Sequence, residues 1–382
     1  MHSLIVLALV GALTASGFSV AAQDASSPDA RSPSPDASPP RQLLVALKTG
    51  VVTCNDHAVT PIYSELLTPE IFTGPLRDDA DPEVALSFSI RSDGRPRDIR
   101  SVTAVVANLP VVVASRSGLI EEQAALSAWR FPAVAVDECR LTITRRIVTM
   151  ADAPDAALAQ LLTSHIDNRW RREITNNLQR PGDDCAERPD ILTAVHPDRR
   201  RSQPAPGGRT WTVLRWNVGP DGRTTDVQTL ASSSDAAFDA ESRRAVGDSR
   251  FVDGNPRTGC ISYFGQTGDP LGDTPGPEPT GDVLRDCPAS VRARFQAGRL
   301  VYPEAFRSRG IEGWAIVRYD IASWGQVGAV SVLEAQPASA FGDAARQVIS
   351  SGRATPGFDG AVRCTDRVIF SMPRDGQAPN TD

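Results

Sequence analysis

Three segments of the chain repeat one arrangement of two cysteines around a glycine. The first cysteine precedes the glycine by 40, 37 and 38 residues, and the second follows it after 45, 38 and 39 residues. All six cysteines are used, two in each segment. The repeat predicts one small domain used three times, with the function of the chain carried by that unit. The triplets are Cys54–Gly94–Cys139, Cys185–Gly222–Cys260 and Cys287–Gly325–Cys364.

The repeat also predicts how the cysteines pair. Six cysteines permit many pairings, and the register of the repeat favours pairing within each unit without excluding the others. A metal site is the alternative, but the chain has no CxxC pair and its four histidines are scattered. We therefore expect three disulfides, and neither a metal nor another cofactor. The expected pairs are Cys54–Cys139, Cys185–Cys260 and Cys287–Cys364.

The N-terminus predicts export to an oxidising compartment. Residues 1–22 contain a long apolar stretch that ends in Val-Ala-Ala before Gln23, as in a cleaved signal peptide. The alternative is a retained anchor, because about 19 apolar residues can just cross a bilayer. Membrane contact is expected only in that case. Residues 23–41 are rich in Ser, Pro, Asp and Ala and predict a disordered tether.

The rest of the chain divides into three domains on composition and periodicity. We place them at 42–152, 153–266 and 282–375, with a Pro- and Gly-rich linker at 267–281 between the second and third. Apolar residues recur every four positions from Leu158 to Leu178, which predicts a helix ahead of the second sheet.

Within each domain the pattern predicts a hairpin, a helix and a closing strand. In the third, residues 314–321 alternate as a strand, 327–333 return after the Gly325 turn, and 341–349 have helical periodicity. A closing strand begins at Cys364. The predicted fold class is α+β, with three repeated two-layer domains, each a three-stranded antiparallel sheet with two helices on one face.

The third domain resembles the C-terminal domain of TonB-type energy transducers. The matching residues are the run Tyr302-Pro303-Glu304-Ala305 and the run Arg309-Gly310-Ile311-Glu312-Gly313-Trp314, followed by the hairpin, helix and closing strand. The other two domains resemble it more weakly. The resemblance implies a periplasmic module that captures an extended segment of an outer-membrane receptor or another envelope protein.

The expected binding site is the edge of the last strand. An unpaired edge presents free N–H and C=O groups, to which an extended peptide can add as another strand. The alternative is an edge that its own charged residues or a neighbouring unit protects. The residues expected to face the peptide are Asp366, Arg367, Val368, Ile369 and Phe370.

The remaining features argue against an enzyme and against a nucleic-acid binder. The net charge is −6, and no GxSxG, HExxH or phosphate-binding loop is present. The adjacent acids Glu121-Glu122 and Asp183-Asp184 are expected to be solvated. Trp211 and Trp314 are expected to pack against the helix that follows each hairpin.

The sequence therefore predicts a non-catalytic periplasmic protein of TonB type that binds extended peptides by strand addition, within TonB-dependent transmembrane transport. The alternative is a structural envelope protein whose units cover their own sheet edges. Availability of the edges separates the two functions.

Overall fold

A computed structural model describes most of the chain after the tether. The described residues are 42–65, 68–73, 83–102, 116–164, 166–187, 189–252, 254–272, 287–357 and 359–372. All of them belong to one compact body, 40–382. The predicted signal peptide or anchor at 1–22 and the tether at 23–41 lie outside the described residues, as does 273–281 of the predicted linker. None of the helices in the described part is long and apolar enough to span a membrane.

Unit one forms a larger sheet than the sequence predicts. The prediction of three strands is wrong here, because the segment before the hairpin adds strands in place of a helix. This segment buries Leu44 and Val52 and is rich in β-branched residues, which favours a strand. The sheet order is β2-β1-β6-β4-β5, with β3 also on β1. The elements are β1 (Gln42–Cys54), β2 (His57–Val59), β3 (Glu70–Thr73), β4 (Glu83–Ile90), β5 (Pro96–Ser101), α1 (Arg116–Ala128) and β6 (Val136–Thr149).

Unit two is the second antiparallel sheet. Its elements are α2 (Asp155–Leu162), α3 (Asn168–Asn177), β7 (Ile191–Thr193), β8 (Arg209–Val218), β9 (Thr224–Ser232), α4 (Ala236–Asp248), β10 (Arg250–Phe251) and β11 (Arg257–Thr267). The order β11-β8-β9 agrees with the predicted three strands. The single helix predicted from Leu158 to Leu178 is wrong, since the chain leaves the helical conformation between α2 and α3.

The helices of unit two lie on both faces of its sheet. Trp211 and Val213 of β8 pack with α2 and α3, whereas Trp216 and Val218 pack with Val246 of α4. Alternate residues of a strand point to opposite faces, so the sheet is covered on both sides. The prediction that the helices lie on one face is therefore wrong for this unit.

Unit three is the third antiparallel sheet, of order β14-β13-β16. Its long helix, α7, packs on β13 and β14 through Phe341, Ala345 and Ile349. The elements are α5 (Ala289–Arg292), β12 (Phe295–Gln296), α6 (Glu304–Arg307), β13 (Gly313–Ile321), β14 (Val327–Gln336), α7 (Ser339–Ser350), β15 (Arg353–Ala354) and β16 (Ala361–Phe370).

The repeated glycine has the same role in all three units. It has a positive φ in each hairpin turn: 80° at Gly94, 69° at Gly222 and 90° at Gly325. In each unit its carbonyl accepts a hydrogen bond from the backbone N–H just after the long helix, at 2.9 Å in all three. The turn is thereby tied to the end of the helix. That the units are copies of one domain remains a prediction. The donors are Phe131, Phe251 and Ala354.

The three predicted disulfides are confirmed. Each closes its own unit, with sequence separations of 85, 75 and 77 residues. In unit one the bond joins two residues that face each other across paired strands, Cys54 of β1 and Cys139 of β6.

Buried charges and a continuous core join the units. One hydrophobic cluster includes residues of units one and three. Arg309 of unit three is fully buried and pairs with Glu65 and Glu121 of unit one. Glu122 is buried as well, against Arg145. The prediction that Glu121 and Glu122 are solvated is therefore wrong.

The prediction that Asp183 is solvated is also wrong, because its side chain is buried against Arg215.

The first residues of the predicted linker contact both of the units that it joins. Leu271 forms a β-bridge with Ile311 of unit three, and the Gly268 N–H donates to the Gly208 carbonyl of unit two at 2.9 Å.

Candidate functional site

The candidate site is the outer edge of the strand that closes each unit, namely β6, β11 or β16. A closing strand with a partner on one side leaves every second N–H and C=O free on the other. The three units differ in whether this outer side is occupied.

In unit one the edge is occupied by the chain itself. β1 pairs antiparallel with β6 from Leu43 opposite Thr149 to Cys54 opposite Cys139, with one irregularity between Thr49 and Val52. On its other side β6 pairs with β4. Unit one therefore already carries an added strand at its closing edge, and a disulfide fixes that strand in place.

In unit three the closing strand lies at the sheet edge. β16 pairs with β13, from Gly313 opposite Phe370 to Tyr319 opposite Cys364, and no strand in the described part of the chain pairs with its outer side. Apolar residues on the α7 face, among them Phe370, which is fully buried, hold the strand on the core. In the described part of the chain β16 is therefore an edge strand, and addition of a peptide there remains a prediction.

The five residues named from the sequence divide between the two faces of β16. Asp366 lies on the α7 face, where its carboxylate accepts a hydrogen bond from the Tyr319 hydroxyl. Phe370 is buried on that face and Val368 is partly buried there. Ile369, which is 44% exposed, and Arg367 lie on the opposite face. A peptide strand can therefore reach the side chains of Arg367 and Ile369, but not that of Phe370.

Arg292 of α5 binds one end of the outer edge of β16. Its guanidinium donates to the Thr365 carbonyl at 2.9 Å and to the Asp366 carboxylate at 2.7 Å. Burial, followed by the hydrogen bond to Asp366, raises the pKa of Tyr319, so the hydroxyl keeps the proton that it donates. Arg292 thus occupies one end of the outer edge of β16.

Unit two has an open edge as well. β11 pairs with β8, and no strand in the described residues pairs with its outer side. The edge is flanked by α3 and by residues 185–187 and 189–199, which form a groove along the strand.

The two tryptophans at the strand starts do not pack as predicted. Trp211 packs with α2, which precedes the sheet, and not with the following helix α4. Trp314 is 4% exposed and lies on the face opposite α7, since its neighbour Ala315 packs with α7. The two tryptophans occupy equivalent positions at the start of β8 and β13, but neither packs on the helix that follows its hairpin.

Sequence reasoning missed two features that control the edges, β1 and Arg292. The signal for β1 was the run of apolar and β-branched residues in Gln42–Cys54. No signal marked Arg292, because its role depends on the fold that brings α5 beside β16.

Comparison with known proteins bears on unit three. Residues 298–372 match the family model "Gram-negative bacterial TonB protein C-terminal". The match runs from before α6 to just after β16, so the resemblance predicted for this unit is confirmed. Units one and two lie outside it.

A solved structure similar to this region is the solution NMR structure of Pseudomonas aeruginosa TonB CTD. It is 28% identical, and the similarity covers 22% of this chain and 90% of that chain, with a TM-score of 0.19. The search of curated proteins gave no match.

Proposed function

We propose that this is a non-catalytic periplasmic protein of TonB type that binds extended segments of outer-membrane receptors or other envelope proteins. Binding takes place by strand addition at the outer edge of β16 and serves TonB-dependent transmembrane transport. The observation that carries the proposal concerns β16, which lies within the region that matches the TonB C-terminal family. No strand in the described residues pairs with its outer side.

The physical basis is the outer edge of β16 near Ile369, with which no strand in the described residues pairs. A peptide strand that adds there gains main-chain hydrogen bonds, and selectivity comes from alternate side chains. Ile369 offers an apolar contact on one face, since it is 44% exposed. Arg292 limits the added strand at one end, because it occupies the Thr365 carbonyl.

Unit one supports a second candidate function, that of a self-capped envelope scaffold. Its β6 edge is covered by β1 of the same chain and locked by Cys54–Cys139. If the outer edge of β16 is covered in the same way, by another segment or a second copy, the protein has a structural role. The open edge of β16 in the described residues favours the binding function.

Photocrosslinking in living cells tests the proposal. A photoreactive amino acid replaces Ile369 on β16 or, as a matched control, Leu333 on β14, which is 41% exposed. Mass spectrometry then identifies the captured proteins. We expect adducts to an outer-membrane receptor or another envelope protein from position 369, and few or none from position 333.

Two results would overturn the proposal. Adducts from position 369 to this chain alone would identify a self-capped scaffold. Equal capture from positions 369 and 333 would show contact with the surface in general and not with the edge of β16.

A further inference from the structure

A long groove follows the open edge of β11 in unit two, outside the region that matches the TonB C-terminal family. Two cavities of about 660 and 430 Å³ line up along this strand. The first borders Tyr263 to Thr267 and the second borders Cys260 to Tyr263. Together they follow the outer edge of β11 over eight residues, about 26 Å at 3.3 Å per residue.

The floor of the groove is the outer backbone edge of β11, which can form hydrogen bonds with an added strand. Residues 261–266 of β11 face β8 on one side. Among the described residues, none of them makes a backbone hydrogen bond outside that ladder. The alternate N–H and C=O groups that point into the groove can therefore accept an added strand.

One wall is α3, and it is basic. Arg171 lies over the Tyr263 ring, 5.5 Å from its centroid, and its Nε is buried without a hydrogen-bond partner in the described structure. Arg172, also on α3, and Arg199, across the groove, form no ion pair with any described residue. Glu187 is the one carboxylate among the residues that line the two cavities. The groove therefore favours negative charge.

The opposite wall is apolar apart from Arg199. It is formed by β7 and the residues after it, where Ile191 is 45% exposed and borders a smaller cavity with Ala194 and Val195. This wall is held in place by pairing of β7 with β10 and by the Val195 N–H, which donates to Ser249 Oγ at 3.1 Å. It therefore offers a fixed apolar surface beside the strand edge.

The two walls lie on opposite faces of the sheet. Tyr263 and Ile261 point to the α3 side, whereas Phe264 packs on the α4 side, where Ile191 and Val195 lie. A strand added to β11 presents successive side chains to these two faces in turn. The complementary sequence alternates acidic residues toward Arg171 with aliphatic residues toward Val195.

We propose that the groove along β11 is a second peptide-binding site, specific for an extended protein segment with alternating acidic and aliphatic side chains. It is independent of the role of β16, because the two edges belong to different sheets and to different units. The chain would then bind two extended segments at once.

Fluorescence anisotropy with the full disulfide-bonded chain tests the proposal. The probe is a labelled twelve-residue peptide of alternating glutamate and valine, and the comparison peptide has lysine in place of glutamate. We expect saturable binding of the first peptide alone, weakened by added salt because the contact is electrostatic. Hydrogen exchange at residues 261–266 should slow when the first peptide is added.

Charge-reversal variants locate the contact. Arg171→Glu should weaken binding by about tenfold or more, since it places a negative charge against the acidic side chains. Arg172→Glu provides a second test on the same α3 wall and should also weaken binding. Arg169→Glu is the matched control on the same helix, outside the groove, and should change the affinity by less than about twofold.

Five results would overturn the proposal, four of them in the binding and exchange experiments. They are the absence of saturable binding, equal binding of the lysine peptide, equal effects of Arg171→Glu and Arg169→Glu, and peptide binding without slower exchange in β11. Protection of every amide from 261 to 266 in the free chain would show that a segment of this protein, or a second copy, already fills the groove. That result would overturn it too. Failure at β11 leaves crosslinking from β16 unaffected, so the two proposals are tested separately.

Discussion

Glu121 and Arg309 lie 188 residues apart in the chain, yet Arg309 Nη1 donates a hydrogen bond to Glu121 Oε2 at 2.9 Å. The same guanidinium donates to Glu65 Oε1 at 3.2 Å, and the Arg309 side chain is fully buried. Glu65 also pairs with Arg209 of unit two, at 2.9 Å. One buried charge cluster thus joins residues of all three units, which makes them one body and not three separate modules.

Glu121→Gln should lower the free energy of unfolding by about 3 kcal/mol, because it leaves a buried arginine with one carboxylate in place of two. Urea titration of the disulfide-bonded chain measures the change. The control is Glu304→Gln, which breaks the exposed pair with Arg307 and should cost less than about 0.5 kcal/mol. Equal losses in the two variants would contradict a structural role for the buried cluster.

The same pair predicts how stability depends on pH. Burial alone raises the pKa of Glu121, but the charge and hydrogen bonds of Arg309 outweigh it and hold the pKa below the ordinary value of 4.5. As the pH falls below that value, the unfolded chain takes up the proton first, so the stabilisation is complete above it and is lost as the pH approaches the folded pKa. The free energy of unfolding of the unmodified chain should therefore fall more steeply below about pH 4.5 than that of Glu121→Gln. Parallel curves would refute this assignment.

The hairpin glycine of unit three should tolerate no side chain. Gly325 has a φ of 90°, and an added Cβ would lie 1.9 Å from the Ala354 carbonyl oxygen. Gly325→Ala should lower the free energy of unfolding by about 2 kcal/mol or more. Gly247→Ala in α4 is the control, since no atom lies within 4 Å of its added Cβ, and it should raise stability by about 0.5–1 kcal/mol. A neutral Gly325→Ala would disprove the steric account of the repeat.

Removal of the disulfide in unit one should loosen the strand that covers β6. The double variant Cys54→Ser, Cys139→Ser should lose about 3 kcal/mol of stability and show faster hydrogen exchange in β1. The double variant Cys185→Ser, Cys260→Ser should also lose stability but leave exchange in β1 unchanged, because that bond lies in unit two. Unchanged exchange in β1 after loss of Cys54–Cys139 would argue that the bond does not fix the added strand.

The sequence predicts well what depends on local pattern. Alternating residues give the hairpins, because pairing of neighbouring strands follows from short-range geometry. The cysteine spacing gives the three disulfides, because it repeats in the same register in each unit. These predictions needed no knowledge of how the units pack together.

The predictions that failed depend on contacts between distant segments. Glu121 is buried because Arg309 reaches it from unit three, which no local pattern shows. The prediction that Trp211 packs against the helix after the hairpin failed because α2, which precedes the sheet, covers the face on which Trp211 lies. β1 was missed as an added strand because its partner, β6, lies more than eighty residues later. The role of Arg292 in the candidate site could not be predicted for the same reason, since it contacts β16 only in the folded chain.

The central claim is that, among the described residues, a partner strand covers the closing edge of unit one but not those of units two and three. Amide hydrogen exchange along the three strands, measured at single-residue resolution in one sample, tests it directly. The account predicts consecutive protection over residues 139–144 of β6, which have partner strands on both sides. It predicts protection at alternate residues only over 261–266 of β11. Consecutive protection in β11 would contradict the account, because it would show that this edge is already filled.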